Sequence, residues 1–263
     1  MNLIQAIILG IIQGITEFLP ISSSGHLVLM QKIFGITEPT LVFDTSVHLG
    51  TLIAVFAVFK DDIMNLLKKP FQKLTWLLLA GTIPTGIIGI LFKDTFEQMF
   101  HTGSTLGFEF IITGVVILWS SILKSGRKGI KETSYFDAAF IGVMQGLAIM
   151  PAISRSGLTI SGALFRNLDR NFAARFSFLL SIPAILGAAV FQVKDMMEIG
   201  GGTGGIGMGA LIAGSLAAAL AGYISIKFML KILSEGKMKY FSYYVFALGA
   251  LVVLDQYVTH IFF

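Results

Sequence analysis

The chain has no cysteine among its 263 residues, so disulfides and thiolate metal sites are excluded. Charge is scarce as well. Only 13% of residues are Asp, Glu, Lys or Arg, against 55% hydrophobic, whereas a soluble domain is about a quarter charged. Mean hydropathy is +0.82. The net charge of +4 comes from loop lysines and gives no reason to expect a nucleic-acid partner. Met1 to Leu9 is apolar but lacks a basic leader, so it is not expected to be a cleavable signal. Alternation of period two is missing, which excludes a barrel and leaves helices to cross the bilayer.

What is present is a series of apolar runs: Leu41–Phe59, Leu74–Phe92, Leu106–Leu123, Phe176–Val193, Ile206–Leu230 and Phe241–Val258. Each approaches the ~20 residues that span the hydrocarbon. Two further apolar segments are broken. Met1–Phe34 is interrupted by Pro20 and Ser22-Ser23-Ser24-Gly25, and Phe136–Phe165 by Pro151 and Ser154-Arg155-Ser156-Gly157. Proline and a serine-glycine cluster end one helix and start another. The sequence therefore predicts an all-α polytopic membrane protein, with six transmembrane helices and two re-entrant helical hairpins in a single membrane domain.

Fifteen of the 19 Lys+Arg residues fall in four clusters, around Lys60–Lys73, Lys124–Lys131, Arg166–Arg175 and Lys227–Lys239. The positive-inside rule puts these in the cytoplasm. The first hairpin then enters from the outer face and the second from the cytoplasmic face.

The two hairpins are also related in sequence. "LGIIQGITEFLPISSSG" (Leu9 to Gly25) and "IGVMQGLAIMPAISRSG" (Ile141 to Gly157) share seven identities in 17 positions at a constant offset of 132. With their opposite entry directions, this predicts an inverted-topology repeat with halves of about 1–123 and 136–263. Such folds place their site near mid-membrane, where broken helices meet. The copies differ where chemistry would lie: Glu17, Ser23 and His26 in the first stand opposite Ile149, Arg155 and Leu158 in the second.

Arg155 is the sharpest signal, because a guanidinium within the bilayer costs ~3 kcal/mol or more. A helix cap or a snorkelling residue is the plain alternative. Helix N-termini opening at serine-rich turns offer free N–H groups and positive dipole ends. Two such turns meeting would make an anion pocket, and Arg155 adds a fork suited to phosphate. Ser22, Ser24, Ser154, Ser156, Gly25 and Gly157 are candidate substrate-binding residues, though each serine also suits a helix cap. Ser23 is a candidate nucleophile with His26 as its base, and direct attack by His26 is the rival. Glu17 could orient His26 or, with Gln13 one turn earlier, help hold a divalent cation completed by substrate oxygens and water.

Asp44 and His48 are candidate supporting residues at the start of a span. Glu109 reads as interfacial, and His101 and His260 as surface residues. The run Gly200–Gly209 lacks the Lys-Ser/Thr ending of a phosphate loop and reads as a loop. The small residues Ala210–Gly222 suit close helix packing or a homodimer surface.

The motifs "QGITEFLPISSSGH" (Gln13 to His26) and "PAISRSG" (Pro151 to Gly157) resemble the two signatures of the bacterial undecaprenyl-diphosphate phosphatases of the bacitracin-resistance type. The resemblance extends over essentially the whole chain, with Ala152 where that family usually has glycine. It implies an integral enzyme of the plasma or inner membrane that removes the terminal phosphate of undecaprenyl diphosphate. The monophosphate carrier then returns to peptidoglycan synthesis, which confers bacitracin resistance. It further implies a divalent-cation requirement (Mg²⁺ or Ca²⁺) and a site reached from the outer face. Glu17, Ser23, His26 and Arg155 fall on the family's functional positions, and Gln13 on its variable Glu/Gln position. A transporter or flippase of polyprenyl phosphates is the alternative that the repeat architecture leaves open. An intramembrane serine hydrolase is a weaker one, without a nucleophile elbow.

Overall fold

The computed structural model describes residues 1–36, 40–198 and 205–262. Among these the regular elements are all helices, joined by turns and loops, and the one β contact is an isolated bridge between Lys128 and Leu168. The first half contains α1 (Leu3–Phe18), α2 (Ser23–Ile33), α3 (Leu41–Val58), α4 (Lys60–Lys68), α5 (Lys73–Leu91), α6 (Lys93–Thr102) and α7 (Leu106–Ser121). The second contains α8 (Tyr135–Leu147), α9 (Arg155–Phe165), α10 (Arg170–Glu198), α11 (Met208–Ser234) and α12 (Lys239–Leu254), ending in a π-helical turn. Among the described residues, five stretches are long and apolar enough to cross a membrane: Leu41–Val58, Lys73–Leu91, Arg170–Lys194, Met208–Ser234 and Lys239–Thr259. The apolar helix Leu106–Ser121 is shorter than these.

Two differences from the sequence expectation have local causes. α10 starts six residues before its apolar run, because the Asp169 carboxylate accepts the N–H groups of Asn171 (3.0 Å) and Phe172 (3.1 Å) and caps a polar first turn. The basic loop after α3 and the connection after α5 fold into the short amphipathic helices α4 and α6. Both start with an acidic residue in the first turn, which favours the positive N-terminal end of the helix.

The helices pair across the halves. α1 lies against α11, α8 against α5, α3 against α11, α10 against α5, and α7 against α12. Gly10 and Gly142, 132 residues apart, each face a glycine of the partner helix. A Cβ on Gly10 would strike the carbonyl oxygen of Gly214, and one on Gly142 that of Gly81. Absent side chains let these backbones meet. Small residues of α11 are used inside the chain, with Gly214 against Ala6 and Phe43, Ala218 against Gly14, and Gly222 against Phe18 and Ala54.

The N-termini of α1 and α8 are built alike. Asn2 and Gln5 form a capping box, and so do Ser134 and Asp137, at the same offset of 132. Asp137 has a second task. Its buried carboxylate takes Lys128 Nζ at 2.8 Å and Arg166 Nε at 2.7 Å, tying the basic loop before α8 to the end of α9. Burial pushes this carboxyl up, but the bonds from Lys128, the Ser134 N–H and Arg166 outweigh it and hold Asp137 well below the usual carboxylate range.

Candidate active site

α1 ends at Phe18 because Leu19 turns extended and Pro20 has no N–H to continue the ladder. The chain reverses, and Ser22 caps α2 by accepting the Gly25 N–H at 3.3 Å. At the same point of the second hairpin, Ser154 caps α9 by accepting the Gly157 N–H at 3.1 Å. Ser22 does so at φ +68°, a left-handed conformation that is strained for a residue with a Cβ. Ser154 has an ordinary φ of −73°.

The two tips dock through a reciprocal pair of bonds. Ser24 Oγ donates to the Pro151 carbonyl, and Ser156 Oγ donates to the Leu19 carbonyl at 2.9 Å. Donors and acceptors are related by the offset of 132. Ser22 Oγ adds a bond to Pro151 O at 3.2 Å. The candidate substrate-binding serines 22, 24, 154 and 156 thus cap and pin the hairpins, while Gly25 and Gly157 are buried in the first turns of α2 and α9. The α7 helix holds the second tip from behind. Thr113 Oγ1 accepts the Ser154 N–H at 3.1 Å and donates to Ala152 O at 3.2 Å. Glu109 is buried, not interfacial as its position suggested: it is 3% exposed, and its carboxylate accepts the Ala152 N–H at 2.7 Å and Thr105 Oγ1 at 2.7 Å.

Docking brings Glu17 and Arg155 together. Arg155 opens α9 and gives Nη2 to Glu17 Oε1 at 2.5 Å. Its other terminal nitrogen, Nη1, is buried and has no hydrogen-bond partner. A buried N–H left unmade costs ~1–3 kcal/mol, so this geometry suits an anion that is held by Arg155 beside Glu17. The second oxygen of Glu17 accepts Ser23 Oγ at 2.6 Å and Gln13 Nε2 at 2.9 Å. Ser23 is the first residue of α2, so hydroxyl and guanidinium both stand at helix N-termini, where negative charge is favoured.

His26 is held apart from Ser23. Its Nδ1 lies 2.6 Å from Ser22 O, its Nε2 lies 2.8 Å from the Tyr244 hydroxyl, and its ring meets the edge of Phe110. The hydroxyl of Ser23 is paired with Glu17 in this arrangement, not with His26. His48 approaches from α3, with Nε2 3.7 Å from Glu17 Oε2 and Nδ1 2.7 Å from the Asp44 carbonyl. The Asp44 carboxylate accepts Gln31 Nε2 and Thr40 Oγ1, both at 2.8 Å. His260 is exposed; the side chain of His101 and residues 200–204 of the glycine run lie outside the described residues.

The whole-chain comparison decides the family. The model of the bacitracin resistance protein BacA family matches residues 6–251. The chain belongs to the BacA family. Among curated BacA-type relatives, the undecaprenyl-diphosphatase of Carboxydothermus hydrogenoformans is 57% identical over 256 residues, covering 97% of this chain and 98% of the relative. Undecaprenyl-diphosphatase 4 of Bacillus thuringiensis is 50% identical over 262 residues and covers both chains in full. The undecaprenyl-diphosphatase of Alkaliphilus metalliredigens is 43% identical over 273 residues, covering 97% and 98%.

The donor set of this BacA chain fits a hard cation in part. Among the described residues there is no cluster of three His, Cys, Asp or Glu side chains. Gln13 Oε1, however, is buried without a partner one turn from the Glu17 carboxylate. Two oxygens of this kind suit Mg²⁺ or Ca²⁺ only if phosphate oxygens and water complete the shell. Gln145, the repeat mate of Gln13, also has an unpartnered Oε1 but has Ile149 where the first copy has Glu17, so the negative charge lies on one side only. Tyr244, Thr113 and the buried role of Glu109 do not stand out in the sequence. They sit in unbroken apolar spans, and the one available signal was a polar side chain in such a span.

Proposed function

We infer that this chain is an undecaprenyl-diphosphatase. It hydrolyses undecaprenyl diphosphate to undecaprenyl phosphate and inorganic phosphate, recycling the lipid carrier for peptidoglycan synthesis and conferring bacitracin resistance. The observation that carries the reading is the half-used, buried guanidinium of Arg155 beside a serine already bonded to a carboxylate, in a chain of the BacA family.

The mechanism follows from that set. The terminal phosphate binds Arg155 Nη1 and the first-turn N–H groups of α2 and α9. Ser23 Oγ attacks the terminal phosphorus in line, and its proton passes to Glu17 Oε2, 2.6 Å away. The bond from that phosphorus to the bridging oxygen breaks, and undecaprenyl phosphate leaves. Water, giving its proton to His26 Nε2, then attacks the phosphorus; the bond to Ser23 Oγ breaks, that oxygen takes its proton back from Glu17 Oε2, and phosphate is released. Arg155 and the helix N-termini stabilise charge on the transferred phosphoryl group in both steps. A divalent cation, Mg²⁺ or Ca²⁺, held by Gln13 Oε1, Glu17 and the diphosphate, would neutralise the head group.

The setting is a multi-pass protein of the plasma or inner membrane. Its halves, 1–123 and 136–263, are inverted copies within one membrane domain. The basic clusters face the cytoplasm and the site opens to the outer side, with the prenyl tail in the bilayer.

Purified chain given undecaprenyl diphosphate with Mg²⁺ or Ca²⁺ should release phosphate, a chelator should stop it, and Ser23→Ala should abolish it. Rapid quench should trap phosphate on Ser23. Full turnover by Ser23→Ala would remove this assignment. Transport of a polyprenyl phosphate by that variant, with no phosphate release by the wild type, would favour the flippase reading.

A further inference from the structure

His26 is not ready to act in the arrangement described. A carbonyl oxygen only accepts, so the 2.6 Å contact with Ser22 O assigns the proton to Nδ1. In the neutral ring Nε2 then carries the lone pair, and the Tyr244 hydroxyl 2.8 Å away donates to it. The two rings are stacked, with centroids 5.7 Å apart and planes at 11°. Phe110 closes another side at 5.6 Å and 86°. The nitrogen that must take a proton from water is therefore already engaged. Tyr244 itself is 46% exposed on α12 and so has room to move, whereas His26 is 7% exposed and fixed through its Nδ1.

We propose that the Tyr244 hydroxyl is a displaceable cap on His26 Nε2, closing the base in the resting enzyme and leaving it when the phosphoryl group arrives. The proposal rests on the reading of His26 as the base for water. Tyr244 is a positioning residue here, since it acts through His26. The cap keeps the imidazole in one tautomer and screens its basic nitrogen from other reactants between turnovers.

The test is the rate at which diethyl pyrocarbonate modifies His26 in the purified full-length protein without substrate. It is followed by peptide mass spectrometry at a pH well above the ordinary imidazole value, with His48 in the same digest as internal reference. Tyr244→Phe keeps the stacked ring and removes only the hydroxyl. It is expected to speed modification of His26 at least fivefold and leave His48 unchanged. Tyr244→Ala should label at least as fast as Tyr244→Phe. An unchanged or slower rate in Tyr244→Phe would overturn the proposal, and so would a rise confined to Tyr244→Ala, which would make the ring and not the hydroxyl the cover. Turnover of His26→Gln tests the base reading separately. Full activity there would remove the base while leaving the labelling result to decide the cap.

Discussion

Arg155 Nη2 lies 2.5 Å from Glu17 Oε1, joining residues 138 positions apart across the two docked hairpin tips. Glu17 therefore has two competing effects on turnover. It holds the guanidinium proposed to bind the phosphate, and it accepts the hydroxyl of Ser23. Glu17→Gln removes the negative charge next to the anion site but also removes the proton acceptor. Phosphate release should fall by ~10²–10⁴-fold, the usual span for losing a general base. Affinity for a non-hydrolysable farnesyl methylenediphosphonate, measured by calorimetry in detergent without added metal, should hold or tighten. A parallel loss of both would mean that Glu17 serves binding alone.

Glu109 acts on the same site from a distance. It accepts the Ala152 N–H at 2.7 Å and so fixes the turn that aims Arg155. Glu109→Ala leaves that buried N–H without a partner, at ~1–3 kcal/mol. We expect phosphate release at least tenfold lower. Glu109→Gln retains a carbonyl oxygen to accept the same N–H and should recover most of the rate. Equal losses in both variants would contradict a positioning role.

Close approach of α1 and α11 at Gly10 makes a packing prediction with an internal control. A Cβ at Gly10 meets the Gly214 backbone, whereas one at Gly187, inside α10, meets nothing within 4 Å. Gly10→Ala should destabilise by ~1–3 kcal/mol through overpacking. Gly187→Ala should be neutral or stabilising by up to ~1 kcal/mol through reduced backbone entropy. Thermal melts of the two variants in one detergent compare them directly.

Asp137 links folding to pH. Its carboxyl is depressed in the folded protein by Lys128, Ser134 and Arg166 against the opposing effect of burial. The stability it contributes is therefore fully present above the unfolded-state value of about 3.9 and is lost as pH falls through the lower folded-state value. Asp137→Asn should lower the melting temperature at neutral pH, and the gap to wild type should be undiminished at about pH 5. The gap should close only in stronger acid. A gap that closes between neutrality and about pH 5 would show that the carboxylate is not depressed.

Much of the site could be read locally. Gln13 and Glu17 share a helix face, Ser22 to Gly25 opens a helix, and the repeat marks Arg155 as the cation that the first copy lacks. These features lie within a few residues of one another or at a fixed offset. Tyr244, Thr113 and Glu109 could not be read that way, because their partners His26, Ser154 and Ala152 lie 218, 41 and 43 residues away. The expected pairing of Ser23 with His26 has a similar lesson. The imidazole is one turn along and turns back to the carbonyl of its own helix cap, which leaves the serine to the carboxylate ending α1. Helices α4 and α6, of 9 and 10 residues, escape notice because they are polar on one face and too short for an apolar run.

On the proposed mechanism the second hairpin supplies the cation for a diphosphate bound by the first. Arg155→Ala tests it most directly, through phosphate release from undecaprenyl diphosphate with and without added guanidinium ion. Phosphate release should fall by about 10²–10³-fold, as for removal of one transition-state donor, with partial recovery when guanidinium fills the vacated place. Activity within about twofold of wild type, on the scale where tenfold is 1.36 kcal/mol of barrier, would contradict it.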